Sequence, residues 1–114
     1  MINIYKDLEE LNLPVYQQGT APQALPESFY TVWEDYSEDN LNGDNKVYQI
    51  RHEWTVIYYT KDYQSIFSGC QNAIDKLKSK GYIISGAGYD FGGNYGEWQA
   101  RAIDVKKNEK IIGG

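Results

Sequence analysis

The chain has 114 residues, a formal net charge of −5 and an isoelectric point near 4.7. That length suits a single domain, 1–114, able to bury roughly 60–70% of its unfolded surface, and the acidity argues against direct nucleic-acid binding. One cysteine excludes an internal disulfide and suits a reducing cytoplasm, no apolar run nears the ~20 residues of a membrane helix, and the opening MINIYKDLEELNL carries acids where a signal peptide needs bases.

Asn3 can cap a short helix in which Ile4, Leu8 and Leu11 share a face, ended by Pro14. VYQQ (15–18) reads as a short strand, GTAPQALPES (19–28) as a loop, and FYTVWEDY (29–36) as a strand rich in aromatic and β-branched residues. SEDNLNGDN (37–45) then separates it from VYQIRHEWTVIYYT (47–60), the clearest alternation in the chain. There Ile50, His52, Trp54, Val56 and Tyr58 share one face, and Gln49, Arg51, Glu53 and Thr55 the other.

At 62–81 the period changes. Ile66, Cys70, Ala73, Ile74 and Leu77 fall on one helical face, Asp62 can cap the start, lysines fill the last turns and Gly81 suits the C′ position. YIISGAGYDF (82–91) returns to strand character, GGNYGE (92–97) is a turn, and WQARAIDVKK (98–107) is a last strand before the chain frays. The order α-β-β-β-α-β-β predicts an α+β fold, an antiparallel sheet of about four to five strands with two helices packed on one face.

SEDNLNGDN reads as a hairpin tip or a long mobile loop, with a calcium loop as the sharper alternative. Aligning Gly43 to the glycine of an EF-hand places Glu38, Asn40 and Asn42 at ligand positions but puts Gln49 where a bidentate glutamate belongs, so no metal is expected. GAGYDFG has Phe91 in place of the third glycine of a dinucleotide fingerprint. His52 shares a face with Trp54 and Cys70 sits on the apolar helix stripe, so both read as structural. Glu34 and Asp35 are adjacent on a strand and point to opposite faces; Tyr58, Tyr59 and Tyr63 could make a sugar-stacking platform or simply fill a strand and an interface. No nucleophile, base and orienting group appear together, so neither an enzyme nor a cofactor is expected.

The phrasing FYTVWED, HEWTVIYYTKD, a helix ending LKSKGY, then GYDF and WQARAIDVKK resembles the small tail-completion proteins of long-tailed phages and prophages, the tail terminators and head–tail joining proteins. The resemblance covers nearly the whole chain and rests on element order and local wording. It implies an α/β sandwich subunit that joins a homo-oligomeric ring, commonly hexameric, capping the tail tube protein and docking the head connector protein. It implies a virion location after synthesis in the bacterial cytoplasm, with no membrane partner and no catalytic residues. The chain departs from that picture in lacking a basic patch for a DNA channel.

Charge supports assembly independently. Residues 1–53 carry −7 and residues 54–114 carry +2, a division that favours head-to-tail contact. The candidate interface residues are the loop acids Glu38, Asp39 and Asp44, meeting Lys76, Lys78 and Lys80 at the end of the second helix of a neighbour. The alternative function is a small non-enzymatic binding module using a tyrosine-rich sheet face.

Overall fold

The computed structural model describes residues 2–20, 22–41, 47–93 and 95–112; side chains are described for these except at 36–41, 47–49 and 110–112. The fold is α+β. Helix α1 (Ile4–Glu9) leads into strand β1 (Val15–Gln17), the long β2 (Ser28–Leu41) and β3 (Val47–Thr60), a 3₁₀ turn (Tyr63–Ser65), helix α2 (Ile66–Ser79), two short strands β4 (Ile83–Ile84) and β5 (Tyr89–Asp90), and the long β6 (Gln99–Ile112).

Local chemistry sets the helix ends. The Asn3 side chain accepts from the Lys6 amide at 3.1 Å, and Asp62 accepts from the Gln64 amide at 3.1 Å. α1 stops before Leu11 because Asn12 turns the chain at φ 64°, a conformation asparagine tolerates. Gly81, at φ 91°, closes α2 while the Tyr82 amide bonds back to the Leu77 carbonyl.

The sheet has six strands in the order β1-β2-β3-β6-β4, with β5 also on β6. Two details correct the expected four-to-five-stranded antiparallel sheet. First, β1 runs parallel to β2, Val15 opposite Tyr30. The proline-bearing segment between them crosses the face away from the helices, where Leu25 packs beside Phe29 and Trp98, so the chain re-enters in the same direction. Second, 82–91 is two short strands. Between them Gly86 and Gly88 take φ 77° and 89°, and a Cβ on Gly88 would press against the Ala102 carbonyl and Cys70 Sγ, each at 2.9 Å.

Both helices pack on one face, as expected. Ile4 and Leu8 from α1 and Ile66, Cys70, Ala73, Ile74 and Leu77 from α2 bury against Tyr30, Val32, Trp54, Val56, Tyr58, Ile103 and Val105. A second, smaller core lies on the opposite face, where Phe29, Ile57, Tyr59, Ala100 and Ala102 meet Tyr16, Leu25, Phe91, Tyr95 and Trp98. Trp98 Nε1 donates to the Pro26 carbonyl at 3.1 Å, pinning one covering loop to the other.

Candidate functional site

The three long strands run past the end of the helix-side core. β2 pairs with β3 out to Leu41↔Tyr48, and β6 pairs with β3 out to Val47↔Ile112. The helix-side core ends at Trp54 and Val105. Beyond them, residues 36–41, 47–53 and 106–112 continue as a three-stranded arm, and the molecule measures 54 × 28 × 25 Å. A bulge between Glu34 and Tyr36 marks where body becomes arm.

This placement corrects the reading of SEDNLNGDN as a long loop. Ser37–Leu41 belong to β2, with Glu38 opposite Arg51 and Asp39 opposite Ile50. Two of the three candidate acids are therefore ladder residues, held by backbone pairing whatever their side chains prefer. Asp44 lies outside the described residues. The fraying expected after 107 is likewise replaced by strand as far as Ile112.

The lysines sit elsewhere, at the end of α2. Lys80 Nζ pairs with Glu10 Oε2 at 2.8 Å and Lys76 Nζ with Glu10 Oε1 at 3.6 Å. The hydrogen bond from Lys80 leads the causes that hold the Glu10 carboxyl below its ordinary value. Lys76 and Lys80 thus tie α1 to α2 within one chain, while Lys78 is exposed. Glu38 and Asp39, on β2, are not brought together with these lysines at the end of α2 inside the subunit.

Both edges of the arm are open among the described residues. β1 pairs β2 only at Tyr30–Val32, so the outer edge of β2 from Trp33 onward has no strand beside it. β4 pairs β6 at Val105 and Lys106, and the edge of β6 beyond Lys107 has none. On the first edge, 34–39 reads EDYSED, four acids and no base; on the second, 108–112 reads NEKII, one lysine and one acid.

A second feature lies on the face away from the helices, a cleft of about 370 Å³ lined by Gln18, Gly19, Leu25, Phe29, Thr31, Tyr59, Tyr95 and Trp98. Phe29 stacks on Tyr59 at 4.9 Å, Tyr95 meets Tyr59 edge-on at 5.4 Å, and Lys61 Nζ sits 4.5 Å from the Trp98 ring. Burial, then the neighbouring Tyr95, push the Tyr59 phenol up. Gln18 Oε1 is buried there without a hydrogen-bond partner among the described residues. Sequence reasoning missed this cleft because Tyr95 and Trp98 belong to a glycine-rich stretch that reads only as a turn and a strand start. The imagined platform of Tyr58, Tyr59 and Tyr63 does not form. Tyr58 is buried beneath α2, Tyr59 faces the other way, and Tyr63 is 69% exposed on the 3₁₀ turn.

His52 and Cys70 have different surroundings. His52 stacks on Trp54 at 5.4 Å with Nε2 3.5 Å from Glu109 Oε1. Cys70 is 2% exposed, and burial pushes its thiol up, with Arg101 acting the other way. No cluster of three His, Cys, Asp or Glu suited to a metal occurs among the described residues, and no helix of the structure is long and apolar enough to cross a membrane. The chain matches no protein-family model and no curated protein.

Proposed function

We propose that the chain is a structural virion subunit of the tail terminator or head–tail joining type, working as a ring on the end of a phage tail tube. One observation carries the reading beyond the sequence resemblance. The subunit extends three strands, each 14 residues long, past the end of its helix-side core, and among the described residues no strand pairs the outer edges of that arm. A bare sheet with two open edges is a liability in an isolated protein and an asset in one that joins copies of itself. The charge division between the two halves acts in the same sense. Native mass spectrometry across a concentration series, with negative-stain micrographs alone and on polymerised tail tubes, tests it. The expected result is a closed ring, six-fold by the resemblance. Single-subunit masses throughout, with no ring on tube ends, overturn it.

The aromatic cleft favours a second reading, a non-enzymatic binding module acting through Tyr59, Tyr95 and Trp98 in place of the open tyrosine face expected from sequence. Monosaccharide or phenolic probes that saturably quench tryptophan emission, and lose that effect in Tyr95→Ala, would support it; no saturable quenching would remove it.

A further inference from the structure

The aromatic cleft holds polar atoms that the chain itself leaves without partners. Thr31 lies on β2 opposite Ile57, on the face away from the helices, and is 4% exposed, yet its Oγ1 has no hydrogen-bond partner among the described residues. Gln18 Oε1 is buried in the same state, and both residues line the cleft. A buried polar atom without a partner costs the fold free energy, and the Gln18 oxygen can only accept. Burial, then Tyr95, raise the Tyr59 phenol and the Thr31 side chain lowers it, a proximity that stops short of a hydrogen bond. The surroundings are already held in place. The Gln18 amide donates to the Val32 carbonyl at 3.1 Å, Trp98 Nε1 donates to the Pro26 carbonyl, and the Tyr95 hydroxyl donates to the Gly92 carbonyl at 2.9 Å. A site with fixed walls loses little entropy on binding.

The lining also selects the class of ligand. None of the described lining residues is charged, and Lys61, over the Trp98 ring, pairs with Glu97 at 3.5 Å. An ion would give up its hydration there with no counter-charge in return. A monosaccharide fares badly as well, since it carries hydroxyls all around its ring and would meet two unpartnered polar atoms among aromatic walls. At about 370 Å³ the cleft lies at the small end of ligand sites. We propose that the cleft takes a small, flat, uncharged aromatic molecule whose ring-edge N–H or O–H donates to Thr31 Oγ1 or Gln18 Oε1. This rests on the reading of the cleft as a binding site and names the ligand it selects; it does not depend on ring assembly.

The test is an NMR titration of the full chain with indole, benzofuran and glucose. Indole carries a ring N–H, and benzofuran has nearly the same shape with an oxygen in its place. Indole is expected to saturate a single site and to bind about tenfold tighter than benzofuran, because the analogue leaves the buried acceptors unpaired. Glucose is expected to show no saturable shifts. Thr31→Val with Gln18→Leu should bring indole and benzofuran to the same affinity without lowering the melting temperature, since neither change removes a hydrogen bond from the free protein. Thr31→Ser with Gln18 intact keeps both acceptors and should keep the preference, which separates a lost acceptor from altered packing. Equal affinities in the native chain, a preference that survives the double variant, or saturable binding of glucose alone overturns the donor-bearing aromatic ligand and leaves the cleft a binding site. A lowered melting temperature in the double variant shows that the acceptors are paired in the free protein and overturns the same proposal. No saturable shift with any probe overturns both the ligand and the binding-site reading.

Discussion

Body and arm are built from the same three strands and differ in what lies against them. In the body, β3 is apolar on both faces. Trp54, Val56 and Tyr58 sit under the helices, and Ile57 and Tyr59 sit under the loops. In the arm, the same strand carries Arg51, His52 and Glu53, and its visible partners are single side chains such as Glu109 and Lys106. Hydrogen-bonded ladders run through both, interrupted between β2 and β3 only by the bulge after Glu34, yet a backbone hydrogen bond contributes little net free energy once exchange with water is counted. The body is stabilised by burial. The arm is held by its neighbours in the ladder and has surface to spare for something else.

The sharpest way to break this comparison is to make one kind of cut in both regions. Leu77 is fully buried, so Leu77→Ala should cost about 2–5 kcal/mol in chemical denaturation. Ile50, half-buried at the start of the arm, should cost under about 1 kcal/mol on the same substitution. Equal losses would mean the arm carries core of its own. Overpacking sharpens the point. Gly69 lies against the Tyr58 ring, its carbonyl accepts from the Tyr30 hydroxyl at 2.8 Å, and a Cβ there would overlap Tyr58. Gly69→Ala should cost about 1–3 kcal/mol despite raising helix propensity; a stabilised variant would show that the ring moves aside freely.

The body's tyrosines give it a pH signature. Burial, with smaller contributions from nearby groups, raises Tyr30, Tyr59 and Tyr82; Tyr82 also donates to Asp7 at 2.8 Å, which favours the neutral phenol. A raised folded value means the neutral form is favoured by folding. That contribution is complete below the unfolded tyrosine value of about 10 and is lost as pH rises above it. The urea midpoint should therefore hold through neutral pH and fall on the alkaline side. Tyr82→Phe should lower the plateau slightly and soften the alkaline slope. An unchanged slope in Tyr82→Phe and Tyr30→Phe together would contradict the assignment.

What was legible in sequence follows the same division. The stripe Ile66, Cys70, Ala73, Ile74 and Leu77 is buried throughout, and Trp54, Val56 and Tyr58 of the predicted face of 47–60 lie in the helix-side core, while Ile50 and His52 of that face fall in the arm. Periodicity finds such elements because burial wrote it. The far ends of β2 and β6 were invisible because SEDNL and NEKII lack strand character of their own, and register with β3 decides their state. The second core was half-hidden for another reason. Thr55 reads as part of a polar face, yet Ile57 and Tyr59 continue that face into apolar cover supplied by loops from distant parts of the chain. The candidate interface residues divided similarly. Glu38 and Asp39 stand on the open edge, whereas Lys76 and Lys80 are taken by Glu10, a pairing across 66 or more residues that no local pattern announces. Cys70 belongs to the legible part. Its native thiol should label slowly, and Cys70→Ala should cost about 1 kcal/mol. Rapid labelling would show that α2 opens.

The smallest effect on stability should come from removing the arm itself, and this cut is constrained by the register. Replacing only 38–44 with a tight turn would leave Ser37 facing residues it does not pair with. A symmetric cut is needed. Glu38 and Arg51 face each other, and two places nearer the body Tyr36 faces Glu53, the bulge lying just beyond. Ala100, opposite Tyr59, turns its carbonyl away from β3 to the Phe91 amide, so odd-numbered β3 residues bond to β2 and Glu38↔Arg51 is a hydrogen-bonded pair, the kind a two-residue Asn-Gly turn closes. Replacing 39–50 with Asn-Gly and ending the chain at Asn108, which also faces Arg51, removes most of the arm and leaves both cores whole. The shortened protein should melt within a few degrees of the original, because little apolar surface leaves with the arm. It should remain a single subunit under conditions where the full chain is expected to form rings. A large fall in melting temperature would place stabilising core in the arm and erase the distinction between the two regions. A normal ring from the armless chain would keep the distinction and move the contact between copies onto the body.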